Sequence, residues 1–298
     1  MSYLPHGFTV IALGLVLATA GPLSAQGVDL AGVPVARGAE EQQKAVSQPK
    51  KVAAVPFGIG EYATYQVRVG LFGGVGQGSM EVTGIEEVRG HPTYNLRLKI
   101  KGGVPFYKVD TRFESWLDVD ELVSRRFEQD QKEGKFKRHR IFEFYPEERR
   151  WERATTDQKG ELPTEIPLDD VSFLYFVRTL PLEVGQTYTF PRYFREDGNP
   201  VVLKVLRREK VKVPAGTFET IVVQPIIKTS GLFGDGGKAE VYFTDDDRRI
   251  LVQMKSKMPV LKSLNLVLES YVPGTTLTPE ALDSALTNGN GGPGGNRR

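Results

Sequence analysis

The chain has 298 residues, with 39 Lys+Arg against 37 Asp+Glu, 3 His and no Cys. A net charge of +2 argues against a protein whose main work is gripping nucleic acid, which needs a strong basic excess. The missing thiol excludes disulfides, thiolate catalysis, iron–sulfur clusters and thiolate zinc sites, and three histidines are too few to make metal or acid–base chemistry the default.

Residues 1–25 contain no Lys, Arg, Asp or Glu. Phe8 to Ala20 is an apolar run of 13 residues, shorter than the ~20 that a bilayer requires and suited to a signal-peptide core. Pro22 breaks it, and cleavage is expected near Ala25 or Ala20. The predicted location is the periplasm or beyond, with no lipid anchor, because a lipobox needs cysteine. Residues 26–55 hold no aromatic residue and only scattered apolar ones, the composition of a disordered linker.

From 56 to 273 the pattern has period two. Ala63, Tyr65, Val67 and Val69 alternate with polar neighbours, as do Tyr94, Leu96, Leu98 and Ile100, and then Tyr107 through Val119. Later come Ala239-Val241-Phe243, Ile250-Val252-Met254 and Leu264-Leu266-Leu268. Strict alternation is the habit of antiparallel strands with one face inward. Turns are predicted at Arg89-Gly90, Glu133-Gly134, Asp197-Gly198-Asn199, Pro214-Ala215-Gly216 and Asp245-Asp246-Asp247. About a dozen strands exceed a comfortable flat sheet. The expected fold is therefore all-β, a curled antiparallel sheet forming a barrel or half-barrel.

One buried helix is expected near 170–180. Asp169-Asp170 can cap it, Phe173, Phe176, Val177 and Leu180 follow helical spacing, and Pro181 ends it. Beyond 273, Thr278-Pro279-Glu280 starts a short helix reaching about Leu286, followed by a disordered Gly-rich tail. An outer-membrane barrel shares the alternating pattern, but the faces here are dense in Lys, Glu and Arg. The chain also lacks an aromatic-ended last strand, so no transmembrane span is expected.

Catalytic motifs are absent: no G-x-S-x-G and no H-E-x-x-H occurs. The Gly-Leu-Phe-Gly loops at 70–73 and 231–234 fail the P-loop pattern, and no cofactor is expected. Each loop places two large apolar side chains between strands. Leu71, Phe72, Leu232 and Phe233, with Phe173 and Phe176 of the helix, form the candidate ligand-lining set; the plainer reading is loops folded over the core. Asp245-Asp246-Asp247 with Arg248-Arg249 reads as a neutralised turn rather than a metal site. The basic stretches 132–140 and 204–212 read as solvated faces, or as contacts to anionic headgroups.

The core resembles the family of exported bacterial proteins catalogued as domain of unknown function 3108. The carriers are Gly60-Glu61-Tyr62-Ala63-Thr64-Tyr65, then Val171 to Arg178 with Pro181-Leu182. Val213-Pro214-Ala215-Gly216-Thr217-Phe218-Glu219-Thr220 and Thr244 to Arg249 follow. Where the family pattern has proline after the Asp-Arg-Arg turn, this chain has Ile250-Leu251-Val252. The resemblance implies an envelope-located, mostly β protein and supplies no catalytic residue.

The leading functional expectation is a non-catalytic envelope protein that binds a lipid or other amphipathic molecule, or assists envelope assembly, with peripheral membrane contact or an envelope protein partner. The alternative is a structural or partner-binding β module with a filled core. A hydrolase of envelope glycans or lipids ranks third.

Overall fold

The computed structural model describes residues 51–69, 73–105, 107–228, 239–256 and 264–289. Fourteen strands are found among them: β1 (Tyr62–Val69), β2 (Gly74–Val88), β3 (His91–Val104), β4 (Tyr107–Asp118), β5 (Ser124–Glu133), β6 (Phe136–Tyr145), β7 (Arg150–Arg153) and β8 (Lys159–Glu161). After helix α1 (Asp170–Val177) come β9 (Thr187–Phe190), β10 (Val201–Val213), β11 (Gly216–Ile226), β12 (Ala239–Thr244), β13 (Leu251–Ser256), β14 (Leu264–Val272) and helix α2 (Pro279–Gly289).

All fourteen strands belong to one sheet, ordered β8-β7-β6-β5-β4-β3-β2-β1-β14-β13-β12-β11-β10-β9. Two antiparallel meanders, β1 to β8 and β9 to β14, are joined where β1 pairs with β14. Hairpin chemistry explains the nearest-neighbour order. At the β2–β3 turn, Arg89 and Gly90 both hold positive φ (52° and 83°), the geometry that matches the twist of flanking strands.

The barrel or half-barrel expectation is corrected here: the sheet is open, with β8 and β9 as its unpaired ends. Closure needs two end strands long enough to pair, and β8 has three residues and β9 four. The apolar face assigned to closure is covered by helices and connecting segments instead. The expectation of one buried helix in the fold is corrected to two packed helices, α1 and α2, the second being the short helix expected beyond 273. Leu282 of α2 is fully buried, and Ala281 and Leu286 pack on the core. Thr278 caps this helix by accepting the Ala281 N–H at 3.2 Å, with Pro279 at the first helical position.

All eight residues of α1 are buried. Asp169 caps it, its Oδ1 accepting the Val171 and Ser172 N–H groups at 2.8 and 3.0 Å. Its Oδ2 accepts the hydroxyls of Ser115 on β4 and Ser124 on β5 at 2.6 and 2.7 Å. One carboxylate thereby fixes the helix start against two strands. Burial pushes this carboxyl above its ordinary range, against the hydrogen bonds it accepts.

Of the segment read as linker, residues 51–55 are described, and the Ala53 N–H donates to the Val119 carbonyl at 2.8 Å. The predicted signal segment and the end of the tail lie outside the described residues.

Candidate functional site

Three sequence segments named above meet at one buried node. Arg178, just past α1, forks onto Glu61 with Nη1–Oε1 at 2.6 Å and Nη2–Oε2 at 3.0 Å. The same guanidinium donates to the carbonyls of Arg248 and Pro56, and the Tyr271 hydroxyl donates to Glu61 at 3.0 Å. Phe57 and Tyr175 flank the cation, each ring centroid 5.4 Å away. This pair is sealed on every side, so it locks chain segments together and has no face for a substrate.

The open space lies elsewhere. A cavity of about 230 Å³ sits at the end of the sheet where β1, β3 and β5 finish and β2, β4 and β6 begin. Val67, Ile100, Phe113 and Phe142 line its apolar part, closed by Phe194 from the segment before β10. Gly102 and Gly103 line another wall. Both hold positive φ, and a Cβ at either would meet backbone oxygen at 2.3 or 2.1 Å, so glycine is required for the close approach of β2 and β4 there.

The polar part comes from one hairpin. Across β5 and β6 the inward-facing pairs run Phe127–Phe142, Gln129–Arg140 and Gln131–Arg138, changing from apolar to basic along the strands. Arg195 joins them from the β9–β10 connection, and Arg153 of β7 lies alongside, its guanidinium 5.4 Å from the Phe142 ring. Arg138, Arg140 and Arg153 form no ion pair among the described residues, whereas Arg195 pairs with Asp197. Burial first, then Arg195 and Arg153, hold Arg138 below the usual guanidinium range, with Glu133 opposing. For Arg140 the causes are burial, then Arg138, Arg153 and Arg195.

Two carboxyls also face this space. Glu133 accepts hydrogen bonds from Thr111 and Gln131. Asp170, at the first turn of α1, accepts the Tyr193 hydroxyl at 3.1 Å, and burial together with neighbouring Asp169 pushes its carboxyl up to about 7. Asp169 is occupied by four hydrogen bonds, so the two do not form a free acid–base couple.

Of the residues predicted to line a ligand site, Phe173 and Phe176 lie in the core and neither lines the cavity. Phe176 packs edge-on to Phe190 at 5.4 Å, under the Arg192 guanidinium. Leu71, Phe72, Leu232 and Phe233 lie outside the described residues. Sequence reasoning missed Arg138 and Arg140, which it placed in a basic stretch as a whole. Period two carries the signal, because Arg138 and Arg140 share parity with Phe142 and Phe144, while Lys137 and His139 point outward and are exposed. The Asp245–Asp247 segment is the neutralised turn expected, with Asp245 paired to Arg208 at 2.6 Å and to Arg249 at 2.9 Å. Among the described residues no cluster of three or more His, Asp or Glu could hold a metal ion, and no helix is long and apolar enough to cross a membrane.

An open sheet of two antiparallel meanders, braced by a capped internal helix and carrying a small basic cavity, defines a mostly β protein. The chain belongs to the family described as protein of unknown function, DUF3108, whose model matches residues 64–269. Similar solved structures include a beta-barrel-like protein of domain of unknown function DUF1849 from Brucella abortus. It is 11% identical, with 74% of this chain and 100% of that one covered and a TM-score of 0.46. A candidate lipoprotein from Parabacteroides distasonis is 12% identical over 75% of this chain and 100% of that one, with a TM-score of 0.32. A candidate exported protein with a YmcC-like fold from Bacteroides fragilis is 11% identical over 74% and 99%, with a TM-score of 0.28. No curated protein matches the chain.

Proposed function

We propose that the chain is an exported, non-catalytic binding module of the bacterial envelope, with a body filled by its own side chains. The observation that carries this reading is the complete burial of α1 inside the body. Fully burying an aliphatic or aromatic side chain is worth about 1.5–3 kcal/mol, so Phe173, Leu174 and Val177 stabilise the fold by occupying its interior. The cavity at the end of the sheet, about 230 Å³, falls below the roughly 300–1,000 Å³ of ordinary ligand sites. It is too small to hold a whole diacyl lipid, so the filled-module reading is favoured over a lipid carrier. Export is supported by the uncharged first 25 residues and their apolar run.

Expression with the native N-terminus in a bacterial host, followed by fractionation and native mass spectrometry, tests this. The expected product is periplasmic, shortened near Ala20 or Ala25, and free of stoichiometric diacyl lipid. Retention in the cytoplasm, or one diacyl lipid per chain, would overturn the reading.

A further inference from the structure

The cavity joins an apolar floor to a cationic wall, and the wall is expensive to keep. Arg138, Arg140 and Arg195 line it with Arg153 alongside, and the first two carry no ion partner among the described residues. In a surface face, carboxylates interleave with such cations, as at the opposite face of the same hairpin, where Arg126 meets Glu143 at 2.6 Å. Among the described residues lining the cavity the carboxyls are Glu133, engaged by Thr111 and Gln131, and Asp170, engaged by Tyr193. Like charges converging on a half-buried space favour occupation by an anion.

Size and shape narrow the ligand. At about 30 Å³ per water, the space corresponds to roughly eight water-sized groups. Val67, Ile100, Phe113, Phe142 and Phe194 offer no hydrogen bond to the part that enters deepest. Guanidiniums favour carboxylate or phosphate oxygens, which they can grip in pairs.

Resting on the reading of the chain as a binding module, the geometry points to a site for an amphipathic molecule with an anionic head and one short apolar tail. The head is held by Arg138, Arg140 and Arg195, and the tail lies against Phe113, Phe142 and Phe194. Because the cations repel one another when the site is empty, the arrangement lowers stability while favouring the ligand.

Isothermal titration of the full chain with octanoate, octanamide and inorganic phosphate tests the site. Octanoate should bind one per chain, with octanamide and phosphate each at least tenfold weaker. R138Q and R140Q should each weaken octanoate at least tenfold while melting no lower than the wild type. If either variant fails to fold, octanoate should protect Arg138 and Arg140 of the wild type from phenylglyoxal, read by peptide mass mapping. Equal binding of octanoate and octanamide, equal binding of octanoate and phosphate, or no octanoate binding would overturn the assignment. A chain that ignores octanoate yet is exported and free of diacyl lipid removes only the ligand; a stoichiometric diacyl lipid removes the module reading itself.

Discussion

Arg178 and Glu61, 117 residues apart, form a two-pronged ion pair with side chains only 4% and 6% exposed. The pair ties the end of α1 to the start of β1, at the join between the two meanders. Removing one member leaves the other as a buried, uncompensated charge. Glu61→Gln should therefore cost about 3–5 kcal/mol in urea unfolding. The double change Glu61→Leu with Arg178→Met should cost clearly less, since apolar groups leave no stranded charge. A double variant as unstable as the sum of the singles would show that the pair is not coupled.

Asp169 holds a helix start and two strands through four hydrogen bonds. Asp169→Ala removes the cap and strands the Ser115 hydroxyl in the core, while Ser124 keeps its hydrogen bond to Ser172. A cap contributes about 1 kcal/mol and an orphaned buried donor about 1–3, so the loss should reach roughly 2–4 kcal/mol. Chemical denaturation reads it, and a loss under 1 kcal/mol would contradict this role.

Asp170 gives a pH dependence with a definite sign. Its carboxyl is raised to about 7 by burial, then by Asp169, against the Tyr193 hydrogen bond and Arg195. In the unfolded chain it titrates near 3.9. Between about pH 4 and pH 7 the folded chain keeps a proton that the unfolded chain has released. The stability tied to this group is thus full below pH 4 and is lost as pH rises to about 7. Relative to Asp170→Asn, the wild type should lose melting temperature across that window and stay offset above it. Parallel melting curves at pH 4.5 and pH 7.5 would contradict the placement.

Phe194 is the aromatic hinge of the cavity floor, with ring centroids of Phe127, Phe142, Phe144 and Tyr193 at 4.9–6.0 Å. Phe194→Ala should cost about 3–5 kcal/mol. The enlarged floor should also shift preference from octanoate toward longer single-chain carboxylates, measured by titration. An unchanged chain-length preference would place the tail elsewhere.

The strands, the hairpin turns and the Asp169 cap were legible because each is set by local rules: period two, positive-φ turn residues, and a side chain that reaches two or three positions ahead. Openness was not, because it depends on how short the end strands β8 and β9 are, and three or four residues leave no periodic signature. The Arg178–Glu61 pair was hidden for a different reason, since pairing across 117 residues is a product of topology and not of pattern. Arg138 and Arg140 were half visible. Their charge shows in the composition of the stretch, but it is their parity with Phe142 that turns them inward.

The most direct test is an NMR titration of the arginine Nε–Hε signals of the full chain with octanoate. The account expects saturable shifts for Arg138, Arg140 and Arg195, together with the methyls of Val67 and Ile100, and none for buried Arg178. Shifts absent from Arg138 and Arg140, or spread equally over the surface arginines, would contradict it.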